Sequence, residues 1–157
     1  MYPKKRWASN IFTENNIVTV LASQKEAFAS TTICANSPQT DVPTPVIVKF
    51  GRCKVKGDVR TDLDNGVNFV SCTMYLAYVP EGYPLADLPK LHPEYIIGWT
   101  QISLDSGNTF SFSSPLKRNL NSGDKIMMLF YVSATNTAQY VRAFNFYYTV
   151  QYWTTSA

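Results

Sequence analysis

Phe144-Asn-Phe-Tyr-Tyr-Thr-Val-Gln-Tyr-Trp153, close to the end of the chain, decides the fold. Its even positions are Phe144, Phe146, Tyr148, Val150 and Tyr152; its odd positions are Asn145, Tyr147, Thr149, Gln151 and Trp153. A period of two puts one apolar aromatic row on a single face of a sheet, where a helix would need spacings of three and four. β-Branched and aromatic side chains also favour a pleated surface. A strand this long and apolar invites aggregation at a sheet edge, so it calls for a neighbour on each side. Its aromatic row calls for a second sheet to bury against.

Outward from this strand the same period recurs. Residues 125–132 carry Ile126, Met128, Phe130 and Val132 in register, and residues 67–79 carry Val70, Cys72, Met74, Leu76 and Tyr78. Residues 46–59 form a long strand whose phase shifts near Gly51, as a bulge would produce, with Cys53, Val55 and Val59 facing one way and Arg52, Lys54 and Lys56 the other. Asn65-Gly66 predicts a type I′ hairpin joining strands 46–59 and 67–79 as antiparallel partners. Further strands are expected at 17–22, 27–34, 95–104 and 109–113. Residues 10–16 read as a polar turn and 114–124 as a loop. A proline-rich loop at 36–45 and an irregular stretch at 80–89, with one helical turn, break the ladders. Eight strands, no long helix and unequal loops predict an all-β, eight-stranded antiparallel jelly-roll β-sandwich, with the last strand between the first and third. Residues 1–15 are expected to be a short basic arm and 16–157 the jelly-roll domain.

The 157 residues suit one core. Only 16% of them are charged, below the usual quarter, so much of the surface is expected to lie against copies of the chain or a partner. A net charge of +3 permits a polyanion partner without demanding one. Cys34, Cys53 and Cys72 sit within apolar strand patterns and read as buried thiols of a reducing compartment. Neither a signal peptide nor a membrane span is visible, which fits a cytosolic or nuclear product.

Enzymatic chemistry lacks the inventory. The one histidine, His92, precedes Pro93 in a turn that leads into a strand and has no nucleophile elbow to serve. Asp62-Leu-Asp64-Asn-Gly66 departs from a calcium loop in its glycine position and lacks the closing glutamate. No glycine-rich phosphate loop occurs, and no catalytic residue, metal or cofactor is expected. The basic residues are more informative. Arg52, Lys54 and Lys56 alternate along one strand face, with Lys49 and Arg60 near its ends and Arg142 on the adjoining last strand. Such a row is either a solvated face balanced by nearby acids or a phosphate-contacting patch that binds nucleic acid without reading bases. Lys4, Lys5 and Arg6, with Trp7 behind them, extend the second possibility, and Tyr147 and Trp153 are either platforms on which bases stack or, as is more common, subunit contacts or rings packed under loops.

Several stretches in order resemble one family. They are Val48-Lys-Phe-Gly-Arg-Cys-Lys-Val-Lys56, Met74-Tyr-Leu-Ala-Tyr-Val-Pro-Glu-Gly82, Leu91-His-Pro-Glu-Tyr-Ile-Ile-Gly-Trp99, the run from Phe112 through Ser-Ser-Pro to Ser122-Gly-Asp124, and Tyr147-Tyr-Thr-Val-Gln-Tyr-Trp153. From about residue 45 onward the chain is similar to the capsid proteins of circular, Rep-encoding single-stranded DNA viruses, the circovirus-like group. The resemblance implies a jelly roll of which about 60 copies close a T=1 icosahedral shell around a circular single-stranded DNA genome, with assembly in the host nucleus. It implies nucleic-acid contacts from Lys4, Lys5, Arg6, Arg52, Lys54, Lys56 and Arg142, and self-association as the main partnership. Of the family's long arginine-rich arm only Lys4, Lys5 and Arg6 are seen here: either the arm has been trimmed, or the genome is neutralised by the inner sheet face, which would give more weight to Arg52, Lys54, Lys56 and Arg142. Rival expectations are a single-stranded RNA satellite-type capsid protein, a carbohydrate- or ligand-binding β-sandwich, and a cupin-type enzyme, for which one histidine is too few.

Overall fold

In a computed structural model the described residues are 7–36, 47–61, 70–84, 88–104, 107–134 and 141–156. They form nine strands: β1 (Ala8–Val20), β2 (Glu26–Ala35), β3 (Val48–Arg60), β4 (Val70–Val79), β5 (Ile96–Ser103), β6 (Thr109–Ser114), β7 (Arg118–Leu120), β8 (Lys125–Ala134) and β9 (Arg142–Ser156). One helical turn, α1 (Leu88–Leu91), and a 3₁₀ turn at Pro93–Tyr95 precede β5. One sheet runs β1-β9-β3-β6, with the short β7 also on β3; the other runs β2-β8-β4-β5. Every pairing is antiparallel, and consecutive strands cross repeatedly between sheets, which is the jelly-roll order.

The aromatic strand has the neighbours its composition demands. β9 pairs with β1 from Ala8↔Thr154 to Val20↔Arg142, and with β3 from Val48↔Ser156 to Arg60↔Asn145. Phe144, Phe146, Tyr148 and Val150 are fully buried, and Phe130 of the facing sheet stands 4.7 Å from Phe146 and 5.4 Å from Tyr148, ring to ring. Each phenylalanine buried this way contributes about 1.5–3 kcal/mol of transfer free energy. The expected rows of β4 and β8 supply the opposite wall: Val70, Cys72, Met74, Leu76, Ile126, Met128, Phe130 and Val132.

The β3 bulge falls where the phase shift predicts it. Gly51 pairs with Trp153 and Cys53 with Tyr152, leaving Arg52 as the extra residue at φ 37°. Further along, Gly57 lies opposite Tyr148, and a β-carbon there would run into the Tyr147 carbonyl and stand 2.7 Å from Tyr148 Cβ. Glycine is therefore what allows β3 and β9 to approach at this point.

Four expectations are corrected. Residues 10–16 are strand, not turn, and residues 8–15, assigned above to the arm, belong to β1. Their pattern is weak because β1 is an edge strand with only part of one side buried: Phe12 packs edge-on to Tyr152 at 6.2 Å while Ile11 faces out. β3 and β4 are not hairpin partners, because they lie in different sheets and their connection crosses the sandwich. The Asn65-Gly66 turn itself lies outside the described residues. Lastly, residues 114–124 are not all loop, because β7 pairs Arg118–Leu120 with Val48–Phe50.

The outward side of the β2-β8-β4-β5 sheet is partly covered. Leu88 of α1 is buried against Ala77, Val79, Met127 and Leu129. Beside them Phe28, Tyr131 and Tyr75 form an aromatic row, with rings 4.8 and 5.6 Å apart, and Trp99 stands opposite Tyr75. At the end of the sandwich, buried Asp124 accepts hydrogen bonds from the Tyr78 hydroxyl at 2.6 Å and the backbone amides of Asn121 and Glu81 at 3.0 and 3.2 Å. Three donors compensate the carboxylate for its lost water.

Candidate nucleic-acid interface

The outward side of the β1-β9-β3-β6 sheet is built by register. Lys54 lies between Gln151 and Ser113, Lys56 between Thr149 and Ser111, and Asp58 between Tyr147 and Thr109. Arg60 lies opposite Asn145, and Lys49 between Thr155 and Asn119. Inward neighbours Cys53, Val55 and Val59 are buried, which forces Lys54, Lys56 and Arg60 to the outside by the alternation of the strand. The surface between the cations is polar: Thr13 and Thr149 share a hydrogen bond of 2.9 Å, and Gln151 Nε2 donates to Ser9 Oγ at 3.2 Å.

Charge on this face is mostly uncompensated. Arg60 Nε pairs with Asp58 Oδ2 at 3.1 Å and lies over the Tyr147 ring, 5.0 Å from its centre. Among the described residues Arg52, Lys54 and Lys56 have no ion pair. Side chains on alternate positions of one strand stand roughly 7 Å apart, within the screening length of physiological salt. Their mutual repulsion is relieved when phosphates lie across them.

Arg142 departs from this group. It occupies the inward row of β9, is only 2% exposed, and donates from Nη2 to the Gln24 carbonyl at 3.1 Å. It therefore braces the turn between β1 and β2 at the far end of β9 from Trp153. The inward phase that it shares with Phe144 and Phe146 was readable from the alternation. Lys4, Lys5 and Arg6 lie outside the described residues. Trp153 is half-buried and Tyr147 exposed on the basic face. Lys117, just before β7, also reaches this face, with Nζ 5.5 Å from the Trp7 ring centre. Nothing in the linear sequence marks Lys117, because only the bulge at Gly51 and the pairing of β7 bring it there.

His92 sits in the turn leading into β5, as its flanking proline suggests. Its Nδ1 is 3.1 Å from Glu94 Oε1 and its ring stacks on Tyr95 at 5.1 Å. The Glu94 carboxyl is held below its usual value by its own backbone amide first and by His92 next. Among the described residues no three His, Cys, Asp or Glu side chains converge on a metal position. Burial pushes the Cys53 and Cys72 thiols up to about 12, which leaves them unreactive at neutral pH.

No family model matches the chain, and no curated protein matches it. Among solved structures, the chain is similar to the decameric BFDV (circovirus) capsid protein, at 8% identity over 97% of this chain and 99% of that one, with a TM-score of 0.43. It is similar to the 60-mer of the BFDV capsid protein at 8% identity, 98% and 95% coverage and a TM-score of 0.42. A protein of Desmodium yellow mottle tymovirus matches at 14% identity, 100% and 93% coverage and a TM-score of 0.38. With identity this low, what the chain does has to be read from its own surfaces.

Proposed function

We propose that this chain is a structural, non-enzymatic capsid protein that self-assembles into a small closed shell, 60 copies in T=1 symmetry, around a circular single-stranded DNA genome. The observation that carries the proposal is the row Arg52, Lys54 and Lys56, without ion pairs among the described residues, on one outward face of a jelly roll. That face is turned to the shell interior and holds phosphates without reading bases. Self-association is supported by the large apolar side chains left outside away from the basic face: Leu91 (64% exposed) and Trp99 (61%). Side chains of this size at the surface are what subunit interfaces cover. The virion is the mature location, with assembly in the host nucleus.

Size-exclusion chromatography and negative-stain microscopy of the purified chain test the assembly: hollow shells of megadalton scale support it, and a monomer in all conditions refutes it. Reversing both charges, Lys54→Glu with Lys56→Glu, is expected to leave shells intact but empty. Variant shells with the nucleic-acid absorbance of the parent would overturn the assignment of the face. Nuclease sensitivity of the extracted polymer decides between DNA and the RNA alternative.

A further inference from the structure

Next to the basic row lies a cavity of about 350 Å³ lined by Trp7, Gly51, Arg52, Lys117 and Trp153. Its size is that of a small-ligand site. Three independent features build it. The bulge leaves Arg52 at φ 37°, a left-handed conformation unusual for a residue with a side chain, and turns it toward the cavity. Gly51 makes room for an indole, since a β-carbon there would stand 2.9 Å from Cζ3 of Trp7 and 3.1 Å from its Cη2. Trp153 lies directly across the ladder from Gly51 and closes the other side. Among the described residues the lining thus combines two indoles with two cations and holds no carboxylate.

That combination selects its occupant. Indole faces accept a flat ring, and two cations with no acid beside them among the described residues favour a ring that belongs to an anion. A sugar would need hydrogen-bonding amides or carboxylates, and a basic side chain from a neighbouring subunit would be repelled. Lys54 stands on the same outward face just beyond the bulge, so a strand lying along the row reaches the cavity without leaving the cations. We propose that this cavity seats one base of a single-stranded nucleic acid against an indole, with Arg52 and Lys117 on the phosphates that flank it. The site presupposes the enclosed nucleic acid proposed above. To phosphate containment along the row it adds a point where an unpaired base is gripped by its π-face, independent of sequence.

The experiment is a fluorescence titration of the full chain carrying Trp99→Phe, which removes the tryptophan of the opposite sheet. The probes are a thymidine decamer and an abasic decamer of equal charge, at one ionic strength. The base-bearing strand is expected to quench the remaining indole emission and to bind about tenfold more tightly than the abasic strand. Trp153→Leu should bring the two affinities within about twofold, and Gly51→Ala, which displaces the Trp7 ring, should narrow the gap without touching Trp153. Lys54→Glu with Lys56→Glu should weaken both strands equally. Equal binding of the two decamers by the parent overturns the base site while leaving the basic face standing. Failure of both to bind at low salt removes the nucleic-acid role and the base site with it. If Trp153→Leu does not fold, Gly51→Ala decides: an unchanged gap there overturns the proposal.

Discussion

The two outward faces of this sandwich share one core yet are finished in opposite ways. On the β2-β8-β4-β5 sheet, Leu88 of α1 seals Ala77, Val79, Met127 and Leu129, and an aromatic row runs beside them. On the β1-β9-β3-β6 sheet no helix intervenes among the described residues, and the face carries hydroxyls, amides and cations together with exposed Ile11, Ile17 and Tyr147. The first face is a second small core, stabilised by burial. The second contributes little to folding and is therefore open to selection for what it meets. A surface that carries cations and little acid of its own is suited to a polyanion.

Breaking the covered face should have the largest effect. Leu88→Ala is expected to lower unfolding free energy by about 3 kcal/mol, since it empties a fully buried site, as read by urea denaturation. A loss under 0.5 kcal/mol would mean that α1 only rests on the sheet. Tyr78→Phe comes next, at about 2 kcal/mol, because it removes one of three donors to buried Asp124. Double substitution with Asp124→Asn should cost less than the sum of the two single changes.

Alkaline pH acts on the core that both faces share. Burial raises the Cys53 and Cys72 thiols from 9.0 to about 12, so the folded state holds their protons longer than the unfolded state does. Their contribution is complete below pH 9 and declines as pH rises from there toward 12. Each thiol should withdraw about 1.4 kcal/mol between pH 7 and pH 10. Cys72→Ala, weaker at pH 7, should lose correspondingly less over that interval. Equal slopes for parent and variant would remove Cys72 from the account.

The smallest effect belongs to the bare face. Lys54→Ala and Lys56→Ala should each change stability by no more than about 0.5 kcal/mol, because both side chains are exposed and have no ion pair among the described residues. A destabilisation beyond 1 kcal/mol would show that the row supports the fold and is no spare surface.

Much of this was legible in the chain before any coordinates. The period of two in β9, β8 and β4 specifies which side chains are inward, because a pleated strand allows no other arrangement. The phase shift at Gly51 marks the bulge. β1 was harder, since an edge strand buries only fragments of a row and Asn10 to Asn16 read as polar. β7 is three residues long, too short for any period to show.

Composition and alternation by themselves determined that this is a two-layered β protein whose aromatic final strand is interior to a sheet, and that Lys54 and Lys56 share a face. Both follow from local geometry, which a linear pattern carries. The tertiary structure alone decided that β3 and β4 part into different sheets and that Arg142, inward by its phase, finds a carbonyl of the β1–β2 turn. It alone brought Trp7, Lys117 and Trp153 around one cavity. Those outcomes depend on which distant segments pair, and that choice is made by the burial of the whole core, not by any one strand.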